Sequence, residues 1–361
     1  MWDPNIPYNN LPQIPEAKLE TRKVLKALPS ARAILAELDR AAKQTVNPSL
    51  FISAVHLFEA QASSEIENII TTTDELFTAA SQESTTVSTY TTAATKETLR
   101  YKEALTEGTE AIRQRPLTAN AAKDICSTIY GYDVRIRDTP GIYIRDATRN
   151  TRRYTPPEGK AVIEQKLGDW EKFIHSANID PLLIMAAAHY QFEAIHPFSD
   201  GNGRTGRIIN LLILKEHELL SEPVLFLSKH IIKHKNRYYD LLLNVTKEND
   251  WESWLLFMLE AITVTAHDTL STLDQAQELR NDYKEELRQT LSSGANEDLL
   301  DTIFRLPYCR IANVEQYCNV SRPTATKWLE VLTAEGILLK RKNGRENIYI
   351  NREFMRILSR A

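Results

Sequence analysis

A chain of 361 residues is long enough for two or three domains, each with a core of its own. Its 42% hydrophobic and 25% charged content is that of a soluble globular protein, and a formal net charge of −4 gives no whole-chain pull toward nucleic acid or anionic membrane. Three scattered cysteines (Cys126, Cys309 and Cys318) make neither a CxxC pair nor a zinc set. The opening MWDPNIPYNN lacks the basic-then-apolar pattern of a signal peptide, and no apolar run reaches about 18 residues without charge. The expectation is a cytoplasmic protein with no membrane partner.

Pro4, Pro7, Pro12 and Pro15 make residues 1–15 an extended arm on the domain surface. From Glu16 the chain reads as helix, with Pro29-Ser30 expected to break it in two. Pro48-Ser49 opens a further helix, SLFISAVHLFEAQASSEIENII, expected over about 49–70. On it Ser63 and Glu67 lie four apart on one face, and His56 reads as a packed or half-exposed side chain. Thr71 to Thr98 is so rich in Thr and Ser that neither helix nor core is favoured, with a surface loop expected over Ala79 to Thr92 and helix resuming near Ala93. Thr139 to Gly159 (TPGIYIRDATRNTRRYTPPEG) reads as β-prone pieces broken by turn residues. Val162 to His175 is an amphipathic helix with Leu167, Trp170, Phe173 and Ile174 inward.

Two apolar runs follow, Pro181 to Ile195 and Arg207 to Leu220, both expected as buried helices. The stretch between them, His196-Pro197-Phe198-Ser199-Asp200-Gly201-Asn202-Gly203-Arg204-Thr205-Gly206-Arg207, carries the chemistry. Backbone N–H groups through Gly201-Asn202-Gly203 form a nest for an anion, and a helix N-terminus adds its own unpaired donors. Arg204 and Arg207, three apart, can clamp outer phosphates. Asp200 is the type of oxygen ligand that Mg²⁺ takes together with phosphate. His196 is a base tunable near neutral pH. Nest, metal ligand, charge clamp and base together describe a phosphoryl-transfer site.

Beyond it, Tyr238-Tyr239 opens an apolar helical segment, and a long helix follows from Trp251 to about Ser292, its charged second half read as a solvent-exposed connector. Ser293-Gly294-Ala295-Asn296 reads as a hinge. From Glu297 come a helix, a short helix and a longer helix over Arg322 to Ala334 with Ser321 as N-cap, then two strands joined by Asn343-Gly344. Three helices and a β-wing make a winged helix-turn-helix. Arg322, Lys327, Lys340, Arg341, Lys342 and Arg345 give it a basic cluster, so DNA binding, protein contact and dimer support all stay open.

The twelve-residue stretch resembles the HxFx(D/E)GNGRxxR signature of Fic-domain proteins at every defined position. The resemblance implies a mainly α fold: a Fic-type helical bundle with a β-hairpin flap, plus the C-terminal winged helix. It implies an enzyme that moves AMP from ATP onto a Ser, Thr or Tyr hydroxyl of a target protein, the chain itself included, and releases pyrophosphate. His196 would be the base, Phe198 an anchor for the loop, and Asp200 the Mg²⁺ ligand. ATP would lie against His196, Gly201, Asn202, Gly203, Arg204, Thr205, Gly206, Arg207 and one of Tyr238 and Tyr239. Ser63-Ser64-Glu65-Ile66-Glu67-Asn68 resembles the family's inhibitory (S/T)xxxE(G/N) motif; Ser63, Glu67 and Asn68 would restrain the enzyme, Glu67 by pairing with Arg207. Leu117-Thr118 resembles the start of the family's next helix, running through Asp124, Ile125 and Ile129. Thr139 to Gly159 corresponds to the flap, on whose edge a target backbone would dock.

The expected division is an N-terminal helical region (1–110), a catalytic core (111–265), a connecting helix (266–296) and the winged helix (297–361). Rival readings are another Fic-type transfer, removal of AMP from a modified target, and a DNA-bound regulator that uses the domain as a nucleotide sensor. A homodimer is expected by analogy with the family alone.

Overall fold

The computed structural model describes residues 2–44, 48–82, 92–146, 151–291, 297–305, 307–344 and 346–360. The arm lies where the prolines put it. Its backbone bonds to the main body: Tyr8 N–H donates to Thr155 O at 3.0 Å, Lys166 Nζ to Leu11 O at 2.7 Å, and Gln191 Nε2 to Pro12 O at 2.9 Å.

Helix α1 (Arg22–Gln44) runs unbroken through Pro29, against the expected break. Leu25, whose carbonyl loses its helical partner to the proline ring, is 46% exposed, so solvent can replace that bond. The opposite face buries Val24, Ala31, Ile34, Leu35 and Leu38, and a cost of about 3 kcal/mol is offset by burial of two or three such side chains. Helix α2 (Pro48–Ile66) ends at Ile66, four residues before the expected limit.

The Thr-rich stretch is also more ordered than its composition suggests. Helix α3 (Thr73–Ala80) starts on a capping box, in which Thr72 Oγ1 accepts Glu75 N–H at 3.1 Å and Glu75 Oε2 accepts Thr72 N–H at 3.2 Å. Thr71, Thr95 and Thr98 are buried with their hydroxyls bonded, Thr71 to Thr95 at 2.9 Å and Thr98 to Ala94 O at 2.9 Å. A buried Thr is tolerated wherever its hydroxyl finds such a partner. Most of the expected loop, residues 83–91, lies outside the described residues. Helix α4 (Ala93–Ala111) begins where expected, and α5 (Ala119–Tyr130) starts on the Thr118 cap.

Strands β1 (Ile144–Asp146) and β2 (Thr151–Tyr154) pair antiparallel and form the hairpin; its tip, 147–150, with Arg149, lies outside the described residues. Tyr154 Oη ties the hairpin base to Ala194 O at 2.8 Å. Then come α6 (Lys160–Ser176), α7 (Pro181–Ile195), α8 (Asn202–Glu216), α9 (Leu227–Lys233) and α10 (Lys235–Glu248). Helices α7 and α8 are the centre of the molecule. Nearly every residue of α7 is buried, and two indoles donate to its backbone, Trp170 to Ala188 O at 3.0 Å and Trp254 to Ala186 O at 2.8 Å.

Helix α11 (Trp251–Thr290) is a 40-residue spine. Its charged second half is not exposed all round, as the composition suggested. One face buries Leu273, Ala276, Arg280, Tyr283 and Leu287. Arg280 is held by Glu297 and Asp301, each at 2.8 Å. The expected hinge lies outside the described residues.

The C-terminal part follows as α12 (Glu297–Arg305), β3 (Tyr308–Cys309), α13 (Ile311–Tyr317), α14 (Arg322–Ala334), β4 (Leu339–Asn343), β5 (Glu346–Ile350) and α15 (Arg352–Leu358). Three helices then a hairpin is the expected order, while β3 and α15 were not foreseen. The sheet runs β3-β5-β4, all antiparallel. Ser321 does sit at the N-cap of α14, but its hydroxyl bonds Thr324 Oγ1 at 3.0 Å and no helix N–H. Among the described residues no helix is long and apolar enough to cross a membrane.

Candidate active site

The site forms where α7 gives way to α8. His196 caps α7 in the left-handed conformation (φ 50°, ψ 60°), its N–H still bonded to Phe192 O at 3.0 Å. The loop beyond is fixed from inside. Phe198 is buried against Phe192, and its backbone is stitched to the Asn202 amide: Phe198 N–H donates to Oδ1 at 2.9 Å and Nδ2 donates to Phe198 O at 2.8 Å. Gly201 has φ 81°, and a Cβ there would lie 2.7 Å from the Tyr130 ring. Only glycine meets both conditions.

Helix α8 starts at Asn202, not at Arg207 as the apolar pattern suggested. The glycines of the motif therefore belong to the helix and its cap. The first bond back into the helix is Thr205 N–H to Gly201 O, at 3.0 Å. The N–H groups of Asn202, Gly203 and Arg204 are thus the unpaired donors at the positive end of the dipole. Thr205 is fully buried, and Gly206 packs so closely on Glu193 that a Cβ would lie 2.8 Å from its Oε1. Gly206 serves the fit of α8 against α7, and Thr205 lies against Cys126 of α5.

The two arginines part company. Arg204 is buried and bonds Glu97 on α4 and the Tyr130 hydroxyl on α5, the latter at 2.8 Å. Arg207 is turned toward α2: its Nε donates to Ser63 Oγ at 2.7 Å, and its Nη2 to Ser63 O and Glu67 Oε1, both at 2.9 Å. Burial alone would lower the Arg207 pKa; the Glu67 carboxylate together with Tyr238, Glu193 and Tyr101 outweighs it, and the guanidinium ends above its ordinary value.

Glu67 reaches this place because α2 stops. The N–H groups of Glu67 and Ile69 both close on Ser64 O at 3.0 Å, and Asn68 takes a left-handed φ of 63°. Asn takes the left-handed backbone at lower cost than other side-chain-bearing residues. The carboxylate then lies on Gly203, where a Cβ would overlap Oε1. An internal carboxylate thus lies against the first turn of the helix that the sequence marked as an anion site. Glu67 keeps a 32% exposed side chain against 1% for Arg207, so its outer side faces solvent.

His196 is neutral at pH 7. Burial, and then the nearby Arg137 charge, bring its pKa down to about 4, and its Nδ1 is buried without a hydrogen-bond partner. Arg137 had no signal in the sequence. It lies between α5 and the hairpin, in a stretch with no periodic pattern, yet it ties the loop together: its N–H donates to Pro197 O at 3.0 Å, Nε to His196 O at 2.7 Å, and Nη2 to Ile195 O at 3.2 Å and Pro157 O at 2.5 Å. Glu193 was also missed. It lines a narrow cleft under the hairpin with Tyr239, Arg153 and Tyr154, its Oε1 is buried without a partner, and burial pushes its carboxyl up to about 8.

Tyr238 and Tyr239 are told apart by their surroundings. Tyr238 is core, its hydroxyl 2.8 Å from His189 Nε2 and its ring near Trp254 and Phe257. Tyr239 faces the cleft. Asp200 is exposed at the rim of a second cleft of about 350 Å³, shared with Tyr132, Arg135 and Asp138, and its Oδ1 accepts Gly201 N–H at 2.7 Å. Among the described residues no group of three His, Cys, Asp or Glu could hold a metal unaided. One carboxylate beside an anion nest fits Mg²⁺ in its usual mode, in which phosphates complete the shell.

Residues 25–110 match the Fic/DOC family N-terminal model, 116–214 the Fic/DOC family model, and 279–354 the model of the protein adenylyltransferase SoFic-like C-terminal domain. Among curated relatives, the protein adenylyltransferase Fic of Drosophila willistoni is 31% identical over 110 residues, 30% of this chain and 20% of that protein. The protein adenylyltransferase fic-1 of Caenorhabditis elegans is 41% identical over 66 residues, 18% and 13%. The chain thus spans about a fifth or less of these relatives' length. Among solved structures, a Fic family protein from Desulfovibrio desulfuricans G20 superposes with a TM-score of 0.60 at 20% identity, over 91% of this chain and 96% of that one. Fic-1 of C. elegans does so with 0.51 at 17%, over 70% and 73%. At such identities the likeness is one of fold. With the signature loop, the helix pair around it and three family models in register along the chain, this protein belongs to the Fic/DOC family.

Proposed function

We propose that this protein is a protein adenylyltransferase, moving AMP from ATP to a hydroxyl of a target protein and held in check by its own Glu67. The observation that carries the reading is the carboxylate of Glu67 seated on Gly203 and paired with Arg207 at 2.9 Å. A negatively charged group so placed lies beside the first turn of α8 and holds Arg207, which an incoming phosphate would need.

In this reading the α-phosphate rests on the N–H groups at the start of α8. Arg207, once released by Glu67, takes the outer phosphates. Arg204 keeps its bonds to Glu97 and Tyr130 and acts as a fixed positive charge behind the nest. Mg²⁺ would be held by Asp200 and would neutralise the developing charge on the pyrophosphate. The attacking oxygen comes from a Ser, Thr or Tyr of a target laid along the edge of the hairpin. Its new bond to the α-phosphorus forms as the bond to pyrophosphate breaks, and the proton passes to His196, which is neutral and so able to accept it. Tyr239 and Glu193 line the narrow cleft under the hairpin, and Tyr239 is the tyrosine that would lie against the nucleoside.

For the C-terminal part, protein contact fits better than DNA. Of the six basic residues in its cluster, Arg322 is paired with Glu315 at 3.1 Å, Lys340 with Glu330 at 2.6 Å and Arg341 with Asp74 at 2.6 Å; Arg345 lies outside the described residues. Charges already neutralised within the chain release few counterions from a duplex.

The test is the intact mass of Glu67→Gly after incubation with ATP and Mg²⁺, beside Glu67→Gly/His196→Ala. Gain of one or more AMP masses in the first and none in the second is expected. A gain of phosphate mass would replace the reading with a kinase-type transfer.

A further inference from the structure

The hairpin of the C-terminal part packs against α3, the short helix that follows the Glu67 turn. Arg341 on β4 pairs with Asp74 at 2.6 Å and donates to Thr78 Oγ1 at 3.2 Å. Tyr308 on β3 donates to the same Asp74 carboxylate at 2.7 Å, and Arg310 Nε donates to Ser81 Oγ at 3.1 Å. Between these polar contacts sits Phe77. Its ring touches Tyr308 on one side (centroids 5.9 Å apart) and Phe58 of α2 on the other (5.1 Å).

The connection from α3 back to Glu67 is short and stitched. Residues 68–72 alone separate them. Gln61 of α2 donates to Thr71 O at 2.8 Å and accepts the Thr73 hydroxyl at 3.2 Å, while the Thr71 hydroxyl meets that of Thr95 at 2.9 Å. Glu67 can leave Gly203 only if this turn opens, and the far end of the turn is fixed in α3. A helix of eight residues has almost no stability of its own, so α3 stays where its neighbours hold it. Two of those neighbours, α2 and α4, belong to the Fic part. The third is the C-terminal sheet.

From this juxtaposition we infer that the C-terminal part is the lock on Glu67: its β3–β4 face docks on α3 of the same chain and thereby holds the inhibitory turn closed over the start of α8. Arg341, one of the basic residues that composition marked for DNA, is in this chain part of an intramolecular interface, and whatever separates the sheet from α3 frees Arg207. The inhibitory role assigned to Glu67 rests on the function proposed above; the mechanical link between the sheet and the turn does not.

The experiment therefore has two readouts, both on the full chain: hydrogen exchange of the Glu67 and Ile69 amides, and AMP incorporation. Asp74→Arg sets two guanidiniums against each other and removes the acceptor of Tyr308. Exchange at both amides should speed up about tenfold, with AMP incorporation rising in parallel. The swap Asp74→Arg/Arg341→Asp should bring both back toward wild type. If Asp74→Arg melts the whole protein, Tyr308→Phe removes one hydroxyl and should give about threefold. Faster exchange confined to α3, with Glu67 and Ile69 unchanged, would overturn the lock. So would fast exchange at both amides without a rise in incorporation, provided Glu67→Gly is itself active. An inactive Glu67→Gly removes the proposed function, and the exchange arm still decides the mechanical link.

Discussion

Two stretches converge on the start of α8, and they are held very differently. The loop from His196 to Gly201 is fixed by groups buried beneath it, namely the Asn202 amide, the Phe198 ring and the Arg137 fork. The turn from Glu67 to Thr72 is fixed from its ends, with Glu67 partly exposed and Ile70 72% exposed. Under the proposed function the first would stay and the second would leave: an active site that must be ready at all times and an inhibitor that must come off call for these two kinds of anchoring.

The largest expected effect tests the permanent half. In a Glu67→Gly background, His196→Ala should lower AMP incorporation by about 10²–10⁴-fold while ATP binding persists. Because the imidazole pKa is drawn down to about 4, the Glu67→Gly enzyme should hold its rate as pH falls through the ordinary histidine value of about 6.5. A rate that halves there would show that His196 is not buried as the loop geometry requires.

The movable half comes next. Glu67→Gly should raise incorporation on the order of 5- to 150-fold, the range of a coupling between two sites that compete for one group. It should also tighten binding of an ATP analogue, measured by calorimetry. A rate equal to wild type would mean that the Glu67 pair with Arg207 restrains nothing.

Arg137→Met asks whether the permanent half depends on its buried fork. Each charge-assisted bond lost costs about 1.5–3 kcal/mol, so chemical denaturation should show a clear loss of stability. In the Glu67→Gly background incorporation should fall as well, because His196 O and Ile195 O lose their donors.

The smallest effect is Glu193→Gln. A carboxyl whose folded pKa is raised to about 8 contributes stability that is complete below its unfolded value near 4.5 and lost as pH rises through 8. The variant should therefore match wild type near pH 5 and melt higher than wild type near pH 9. Equal melting temperatures at both would mean that the carboxyl is solvated in the cleft.

Much of the site could be read in advance, because its parts are contiguous. The residues from His196 to Arg207 carry nest, base and charge within twelve positions, and the SxxxEN stretch announces a glutamate four residues after a serine. What could not be read falls into two kinds. Helix limits were misjudged where local composition competes with packing: Pro29 inside α1, the capped and threonine-rich α3, and a helix α8 that begins among glycines. Isolated residues were missed where their partners are far away in sequence. Arg137 and Glu193 carry no motif, and each matters only through groups that the fold brings to it.

The sequence by itself determined the family and the mainly helical class, since each depends on residue type and near-neighbour spacing. Tertiary structure alone decided which tyrosine faces the cleft, where Arg204 and Arg207 point, that α2 stops so that Glu67 can reach Gly203, and that the C-terminal sheet rests on α3. These are outcomes of packing between segments up to 267 residues apart, as in the Arg341–Asp74 pair. Long-range burial and charge pairing, unlike spacing, exist only once the chain has folded.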